Sequence, residues 1–133
     1  MATIHREVHI QASPEKVWSA LRDVGALHTR LCPGFVVDTK MDGPHARIVT
    51  FGNGRTAREE IVSVDEGLRR VAWAIVGGAL VHYNGAAQVI PLPQGGCRFT
   101  WTSDLLPNEA APMVQAMIEE GIATIKRTLE AAA

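Results

Sequence analysis

The longest periodic pattern in the chain lies near its end, from Asn108 to about Leu129. Its apolar residues recur every three or four positions, which is the spacing of one face of an α-helix. Asn108 is suited to cap the first turn, and Pro112 falls early enough for a helix to tolerate it. We therefore predict a helix of roughly 30 Å over 108–129, at about 1.5 Å per residue. Its apolar face consists of Met113, Val114, Met117, Ile118, Ile122, Ile125 and Leu129.

The beginning of the chain shows a different pattern, in which apolar and polar residues alternate. Positions 3–12 predict a half-buried strand. Ser13 followed by Pro14 is typical of a helix N-terminus, and the helix is expected to run to about Arg22. A second short helical segment, 24–31, ends where proline and glycine follow it.

Between 35 and 105 the pattern consists of short apolar runs separated by turns rich in glycine, proline, asparagine and aspartate. Joined by sequential hairpins, these runs extend the first strand into one antiparallel sheet of seven. The six runs are 35–41, 45–51, 56–64, 68–76, 80–91 and 97–105. Such a sheet twists and coils, so the long helix is expected to lie across its concave face in an α+β fold. The helix and sheet then either enclose a cavity or are packed solid by Trp73, Phe99 and Trp101.

The composition restricts the classes of function. The 133 residues predict one domain, 1–133, which is large enough to bury its own core. A formal net charge of −1, without clusters of lysine or arginine, argues against binding of nucleic acid or an anionic membrane. No apolar stretch is long enough to span a bilayer and no secretory signal is visible, so we predict a cytoplasmic location without membrane insertion. The sequence leaves open whether the protein is a monomer or a homodimer. Cys32 and Cys97 lack metal-binding spacing and are expected to be free buried thiols.

The order of these elements resembles the helix-grip fold of the START-related superfamily, also called SRPBCC, and most closely its polyketide cyclase/dehydrase-like branch. The likeness extends over nearly the whole chain through motifs that are structural rather than catalytic. It is carried by 12–18 (ASPEKVW), Pro33-Gly34, 58–62 (REEIV) with Asp65, 95–101 (GGCRFTW), Gly121-Ile122 and 126–130. The resemblance implies a cavity between the last helix and the sheet for a hydrophobic or amphipathic small molecule that is lipid-, sterol- or polyketide-like. It names no particular ligand, because function in this superfamily depends on the cavity lining.

Tyr83 is the first polar candidate for the cavity. If Phe99 and Trp101 face inward, the neighbouring strand is expected to turn Val81 and Tyr83 inward as well. A tyrosine hydroxyl in an apolar pocket can donate a hydrogen bond to a ligand carbonyl or polarise it. The alternative is core packing, with the hydroxyl reaching the backbone or the surface.

Glu59 and Glu60 are adjacent in one predicted strand, so one of them must point inward. Burial in an apolar cavity favours the neutral form of a carboxyl group, which could then act as a general acid or base. The alternative is an ion pair with Arg58, Arg69 or Arg70, or exposure at a sheet edge.

The histidines and potential nucleophiles carry weaker signals. His28, in the second helical segment, could contact a ligand head group at the cavity mouth or lie on the surface. His5 and His9 are roughly 13 Å apart along a strand, which is too far to share a metal ion. No motif activates a serine or cysteine, so we expect no metal, no cofactor and no covalent catalysis.

The leading hypothesis is a binding protein that holds a hydrophobic small molecule in an internal pocket. The alternative is a cyclase or dehydratase acting on a polyketide-like substrate, with Tyr83 and an inward glutamate as acid and base. A third possibility is an interaction module with a filled core. The predicted pocket lining is Leu31, Phe35, Trp73, Tyr83, Phe99, Trp101, Met113, Met117 and Gly121.

Overall fold

A computed structural model describes residues 1–132, which form a seven-stranded sheet and two α-helices. In chain order the elements are β1 (Ala2–Ile10), α1 (Pro14–Arg22), a π-helical turn (Leu27–Leu31), β2 (Val36–Met41), β3 (Ala46–Phe51), β4 (Thr56–Asp65), β5 (Arg70–Ile75), β6 (His82–Pro91), β7 (Cys97–Leu106), a 3₁₀ turn (Asn108–Ala110) and α2 (Ala111–Ala131). Every strand that the sequence predicts is present.

The sheet is an antiparallel meander from β2 to β7, and β1 completes it by pairing with β7. The strand order is β1-β7-β6-β5-β4-β3-β2, so the first two strands of the chain form the two edges. Bulges interrupt β2 between Val36 and Asp38, and β4 between Ile61 and Ser63. Bulges bend a strand and increase its twist, which curves the sheet. The predicted α+β helix-grip architecture is confirmed.

The helix α1 begins as the sequence predicts. Ser13 is its N-cap, and the Ser13 side-chain oxygen accepts a hydrogen bond from the Lys16 backbone N–H at 3.2 Å. Pro14 occupies the first turn, where its missing N–H leaves no hydrogen bond unmade. The buried side chains of α1 are Val17, Trp18, Ala20 and Leu21.

The second helical segment is shorter than the predicted 24–31. It is a single π-helical turn, Leu27–Leu31, in which the Cys32 N–H donates to the Leu27 carbonyl at 2.9 Å. Leu27 and Leu31 lie about one such turn apart and are both buried. The turn packs against α1, β2 and α2, and closes one side of the space over the sheet.

The helix α2 begins at Ala111, and the prediction that Asn108 caps it is wrong. The chain enters through Pro107 in an extended conformation, makes a 3₁₀ turn over Asn108–Ala110, and starts the helix without a side-chain cap. Pro112 gives the reason. In a helix capped by Asn108, the N–H of residue 112 would donate to the Asn108 carbonyl, and proline has no N–H to donate.

The helix α2 lies across the concave face of the sheet and buries one side of its surface. Its large buried side chains are Val114, Ile118, Ile122, Ile125 and Leu129. The methionines nearer its start are more open, since Met113 is 41% exposed and Met117 only partly buried. Both methionines border a space that the protein does not fill.

Candidate ligand-binding cavity

A cavity of about 700 Å³ lies between the concave face of the sheet, the π-helical turn and α2. Its volume falls within the range of roughly 300–1,000 Å³ that is usual for small-molecule pockets. The predicted lining residues that border it are Leu31, Phe35, Trp73, Tyr83, Phe99, Trp101, Met113 and Met117. Their placement makes the cavity largely apolar. Whether they bind a ligand stays a prediction.

Two of the predicted contact residues, His28 and Gly121, do not border the cavity. The π-helical turn directs Leu27 and Leu31 inward and leaves the half-buried His28 off the lining. Gly121 is covered by aromatic rings instead. A Cβ atom there would lie 2.8 Å from Trp101 Cζ3 and 3.0 Å from Phe35 Cε2.

An aromatic cluster forms one wall of the cavity without filling it. The ring centroids of Trp73 and Trp101 are 6.0 Å apart, and those of Phe35 and Trp101 are 6.5 Å apart, both in edge-to-face arrangements. Gly85 makes room for this cluster, because a Cβ atom there would lie 2.7 Å from the Trp73 indole. The indole can therefore lie against β6, which keeps it out of the cavity centre.

The cavity opens where three segments meet. Exposed residues border it in the β3–β4 turn and at the start of β4, in the loop after β5, and at the beginning of α2. Across this mouth, Arg55 Nη1 lies 3.3 Å from the sulfur atom of Met113. The loop after β5 carries two consecutive glycines, Gly77 and Gly78, both with positive φ.

The inward glutamate is Glu59, and its partner is a residue that the sequence analysis missed. Arg47 Nε donates to Glu59 Oε1 at 2.8 Å, and the two residues are directly opposite each other on β3 and β4. Arg47 is 3% exposed and Glu59 6% exposed, and both border the cavity. None of the predicted partners of Glu59, which were Arg58, Arg69 and Arg70, pairs with it.

Arg47 is held by two further contacts. Its Nη1 donates to the Val24 carbonyl at 3.1 Å, and its guanidinium carbon lies 5.6 Å from the centroid of the Trp73 ring. Counting residues outward from the β3–β4 turn would have placed Arg47 opposite Glu59, because hairpin strands are in fixed register. The pairing of Arg47 with Glu59 could have been predicted from the sequence by this count.

Glu60 lies on the outer surface of the sheet, so the suggestion that it acts in the cavity is wrong. Its carboxylate is 3.5 Å from Arg58 Nη1, and Arg58 also donates to Asp42 at 2.9 Å. Alternation along β4 requires this arrangement once Glu59 points inward.

Tyr83 is buried on β6 and contacts a second residue that the sequence analysis missed. Its hydroxyl lies 2.7 Å from the hydroxyl of Ser103, which is fully buried on β7. The predicted inward orientation of Tyr83 is correct. That of Val81 is wrong, because Val81 precedes β6 and is 80% exposed.

The environment of Tyr83 keeps its hydroxyl protonated. Burial raises the pKa of Tyr83 to about 12, and the negative charge of Glu59 adds to the effect. The Ser103 hydrogen bond acts in the opposite direction. The Trp101 indole N–H also lowers the pKa of Tyr83. Within residues 1–132 it makes no hydrogen bond of standard geometry.

Cys32 borders the same cavity as a neutral thiol. Burial raises the pKa of Cys32 to about 12, which outweighs the opposing effect of Arg47. Because the thiolate is the reactive form, this side chain is chemically inert at neutral pH. Within residues 1–132, no three histidine, cysteine, aspartate or glutamate side chains are placed to share a metal ion.

The helices of residues 1–132 include none with the length and apolarity needed to cross a membrane. A comparison with curated protein sequences found no match.

Solved structures with the same fold include bacterial proteins of low sequence similarity. The protein XoxI from Bacillus cereus is 18% identical with a TM-score of 0.86, over 97% of this chain and 96% of that one. A START superfamily protein from Mycobacterium smegmatis is 15% identical with a TM-score of 0.75, over 98% of this chain and 95% of that one.

A third structure is the di-domain ARO/CYC protein BexL from the BE-7585A biosynthetic pathway. It is 14% identical with a TM-score of 0.81, over 98% of this chain and 47% of that one. At these identities the structural likeness establishes the fold alone. The family model described as "Polyketide cyclase / dehydrase and lipid transport" matches residues 1–130. The chain therefore belongs to the polyketide cyclase/dehydrase and lipid transport family.

Proposed function

We propose that this protein binds a hydrophobic or amphipathic small molecule in the cavity between α2 and the sheet. The observation that carries the proposal is a space of about 700 Å³ with largely apolar walls and an opening to the surface. Burying apolar ligand surface there would contribute about 25 cal/mol per Å² before the costs of association. The family description and the shared START-like fold support the same proposal.

The polar groups in the cavity favour binding over acid–base catalysis. The Glu59 carboxylate is held in an ion pair with Arg47, and the Tyr83 hydroxyl is hydrogen-bonded to Ser103. A cyclase or dehydratase of the kind considered from the sequence would need one of these groups poised to transfer a proton near neutral pH. A pKa near 12 makes Tyr83 a weak acid. We therefore favour a carrier or receptor over an enzyme.

Native mass spectrometry of protein purified gently from its own cells tests the proposal directly. A bound small molecule is expected as a mass added to the intact chain, and denaturation should release it.

A cytoplasmic location stays a prediction, as does the choice between monomer and homodimer.

A cavity-filling variant tests where the molecule binds. Ala57 borders the cavity near its mouth, so Ala57→Phe places a ring inside it. We expect at least tenfold weaker binding with the fold intact. Ala74→Phe is the matched control, because Ala74 lies between the cavity-lining Trp73 and Ile75 and so points to the other face of β5. Equal effects of the two substitutions would contradict the proposed site.

A further inference from the structure

The polar atoms of the cavity are gathered in one region of an otherwise apolar lining. Arg47 and Glu59 face each other across β3 and β4, and the Glu59 charge acts on Tyr83, which links these groups to the adjoining hydroxyl of Ser103. Trp73 connects this region to the aromatic wall through its contact with the Arg47 guanidinium. A bound amphipathic molecule would place its polar group here, because polar atoms are costly to leave unpaired in an apolar space.

The charge of this region is balanced internally. Among residues 1–132, the charged groups in it are one guanidinium and one carboxylate, joined at 2.8 Å, and both are almost fully buried. The tyrosine is protonated at neutral pH, so it adds no charge. The exposed arginines at the mouth, such as Arg55, are in contact with water and are not part of this buried region.

Hydrogen-bonding capacity is left over within this neutral region. Within residues 1–132, Arg47 uses Nε and Nη1 but has no partner for Nη2, and Glu59 uses Oε1 but not Oε2. The indole N–H of Trp101 is not part of this capacity, because it is fully buried and acts on Tyr83. The unused atoms that a ligand could reach are therefore one donor nitrogen, Arg47 Nη2, and one acceptor oxygen, Glu59 Oε2, without a net charge to neutralise.

From this balance we infer that the cavity selects an uncharged ligand whose polar group is a carbonyl or hydroxyl, rather than a carboxylate or another anion. The inference rests on the proposed binding function and narrows the class of ligand. A carbonyl oxygen can accept from the free Arg47 donor, and a hydroxyl can also donate to Glu59 Oε2. A carboxylate would be buried without a free cation and would be repelled by Glu59.

A matched pair of probes tests the inference on the unmodified protein. 2-Acetylanthracene and anthracene-2-carboxylate share the same ring system. The first carries a neutral ketone where the second carries a carboxylate. Affinities are measured by fluorescence titration at pH 7.5. We expect the ketone to bind at least tenfold more tightly. Equal binding, or tighter binding of the carboxylate, would overturn the inference and leave the binding function standing. If neither probe binds and native mass spectrometry finds no ligand, both proposals fall.

Replacing one carboxylate tests the physical cause. Glu59→Gln keeps the size of the side chain but leaves the Arg47 charge unbalanced, so the ratio of ketone affinity to carboxylate affinity should fall at least tenfold. Glu60→Gln removes a negative charge from the outer surface of the same strand and should leave the ratio unchanged. An unchanged ratio in a folded Glu59→Gln protein would refute the assigned cause, and equal shifts in the two variants would do so as well. If Glu59→Gln does not fold, the comparison of probes on the unmodified protein decides.

Discussion

Arg47 and Glu59 show at the residue scale how a charged pair can lie in an apolar cavity. Each would be very costly to bury alone, because an unpaired ion in the interior loses its hydration. Their 2.8 Å hydrogen bond, the contact of Arg47 with the Val24 carbonyl and the nearby Trp73 ring replace part of that hydration. Removing one partner of such a buried pair typically costs about 3–5 kcal/mol, so we expect a single substitution at either residue to destabilise the protein.

Tyr83→Phe distinguishes a binding protein from an enzyme. In a binding protein the loss of one hydroxyl should change ligand affinity by less than tenfold, because a hydrogen bond contributes about 1 kcal/mol. An acid catalyst would lose about a hundredfold or more in rate. Affinity is measured by titration with 2-acetylanthracene, and turnover by product analysis with candidate polyketide-like substrates.

The control for this change is Ser103→Ala, which breaks the same hydrogen bond from its other end. Both variants should lose a similar amount of stability, about 1–3 kcal/mol. Tyr83→Phe leaves the buried Ser103 hydroxyl without its partner, and Ser103→Ala does the same to the Tyr83 hydroxyl. A rate that collapses only in Tyr83→Phe would contradict the binding hypothesis.

At the scale of the element, α2 shows how side chains from distant parts of the chain can determine which residue fits at one helix position. Along the helix, Gly121 is a weak point, since glycine is about 1 kcal/mol less favourable than alanine in a helix interior. In the folded protein the rings of Trp101 and Phe35 lie against it, leaving no room for a Cβ atom. The missing side chain lets these rings pack on the helix and line the cavity beside it.

Gly121→Ala should therefore destabilise the protein although it raises helix propensity. The new Cβ would lie 2.8 Å from Trp101 Cζ3, so the rings must move, and such overpacking typically costs about 1–3 kcal/mol. Urea unfolding measures the change. Ala123→Gly, at an exposed neighbouring position of α2, should cost about 1 kcal/mol through propensity alone. An increase in stability for Gly121→Ala would show that the rings do not restrict this position.

At the scale of the whole molecule, the meander and α2 form a curved shell around an open interior. Two of the groups that face this interior, Cys32 and Tyr83, are weak acids whose pKa burial raises to about 12. Both retain their protons in the folded protein at pH values where the unfolded chain releases them. The architecture therefore makes stability sensitive to alkaline pH.

We expect the free energy of unfolding to fall as the pH rises above about 9. The Cys32 thiol ionises near its ordinary pKa of 9.0 in the unfolded chain but near pH 12 in the folded protein, so the folded state binds more protons in this window. For this group alone the loss between pH 8 and pH 10 is about 1 kcal/mol.

Urea unfolding at the two pH values, under reducing conditions, measures this loss. Cys32→Ala should lose about 1 kcal/mol less stability over the same interval. Cys97, whose pKa burial also raises, contributes equally to both proteins. Equal losses in the two proteins would contradict the raised pKa of Cys32.

The sequence by itself determined the order of the elements and the inward-facing residues of several strands. Alternation and helical periodicity follow from local backbone geometry, so Trp73, Tyr83, Phe99 and Trp101 could be placed on the inner face without coordinates. The start of α2 was also within reach, because the missing N–H of Pro112 is a local property.

Only the tertiary structure decided which groups meet inside the molecule. Because Glu59 and Glu60 are adjacent, the sequence did not show which of them faces the cavity. The structure shows that it is Glu59, which pairs with Arg47 across the hairpin. Likewise, Gly121 is covered because the ring of Trp101 on β7 and the ring of Phe35, just before β2, converge on it. The open cavity has the same origin. Its volume depends on how far the curved sheet stands from a straight helix, and that distance is set by many long-range contacts together rather than by any one stretch of the chain.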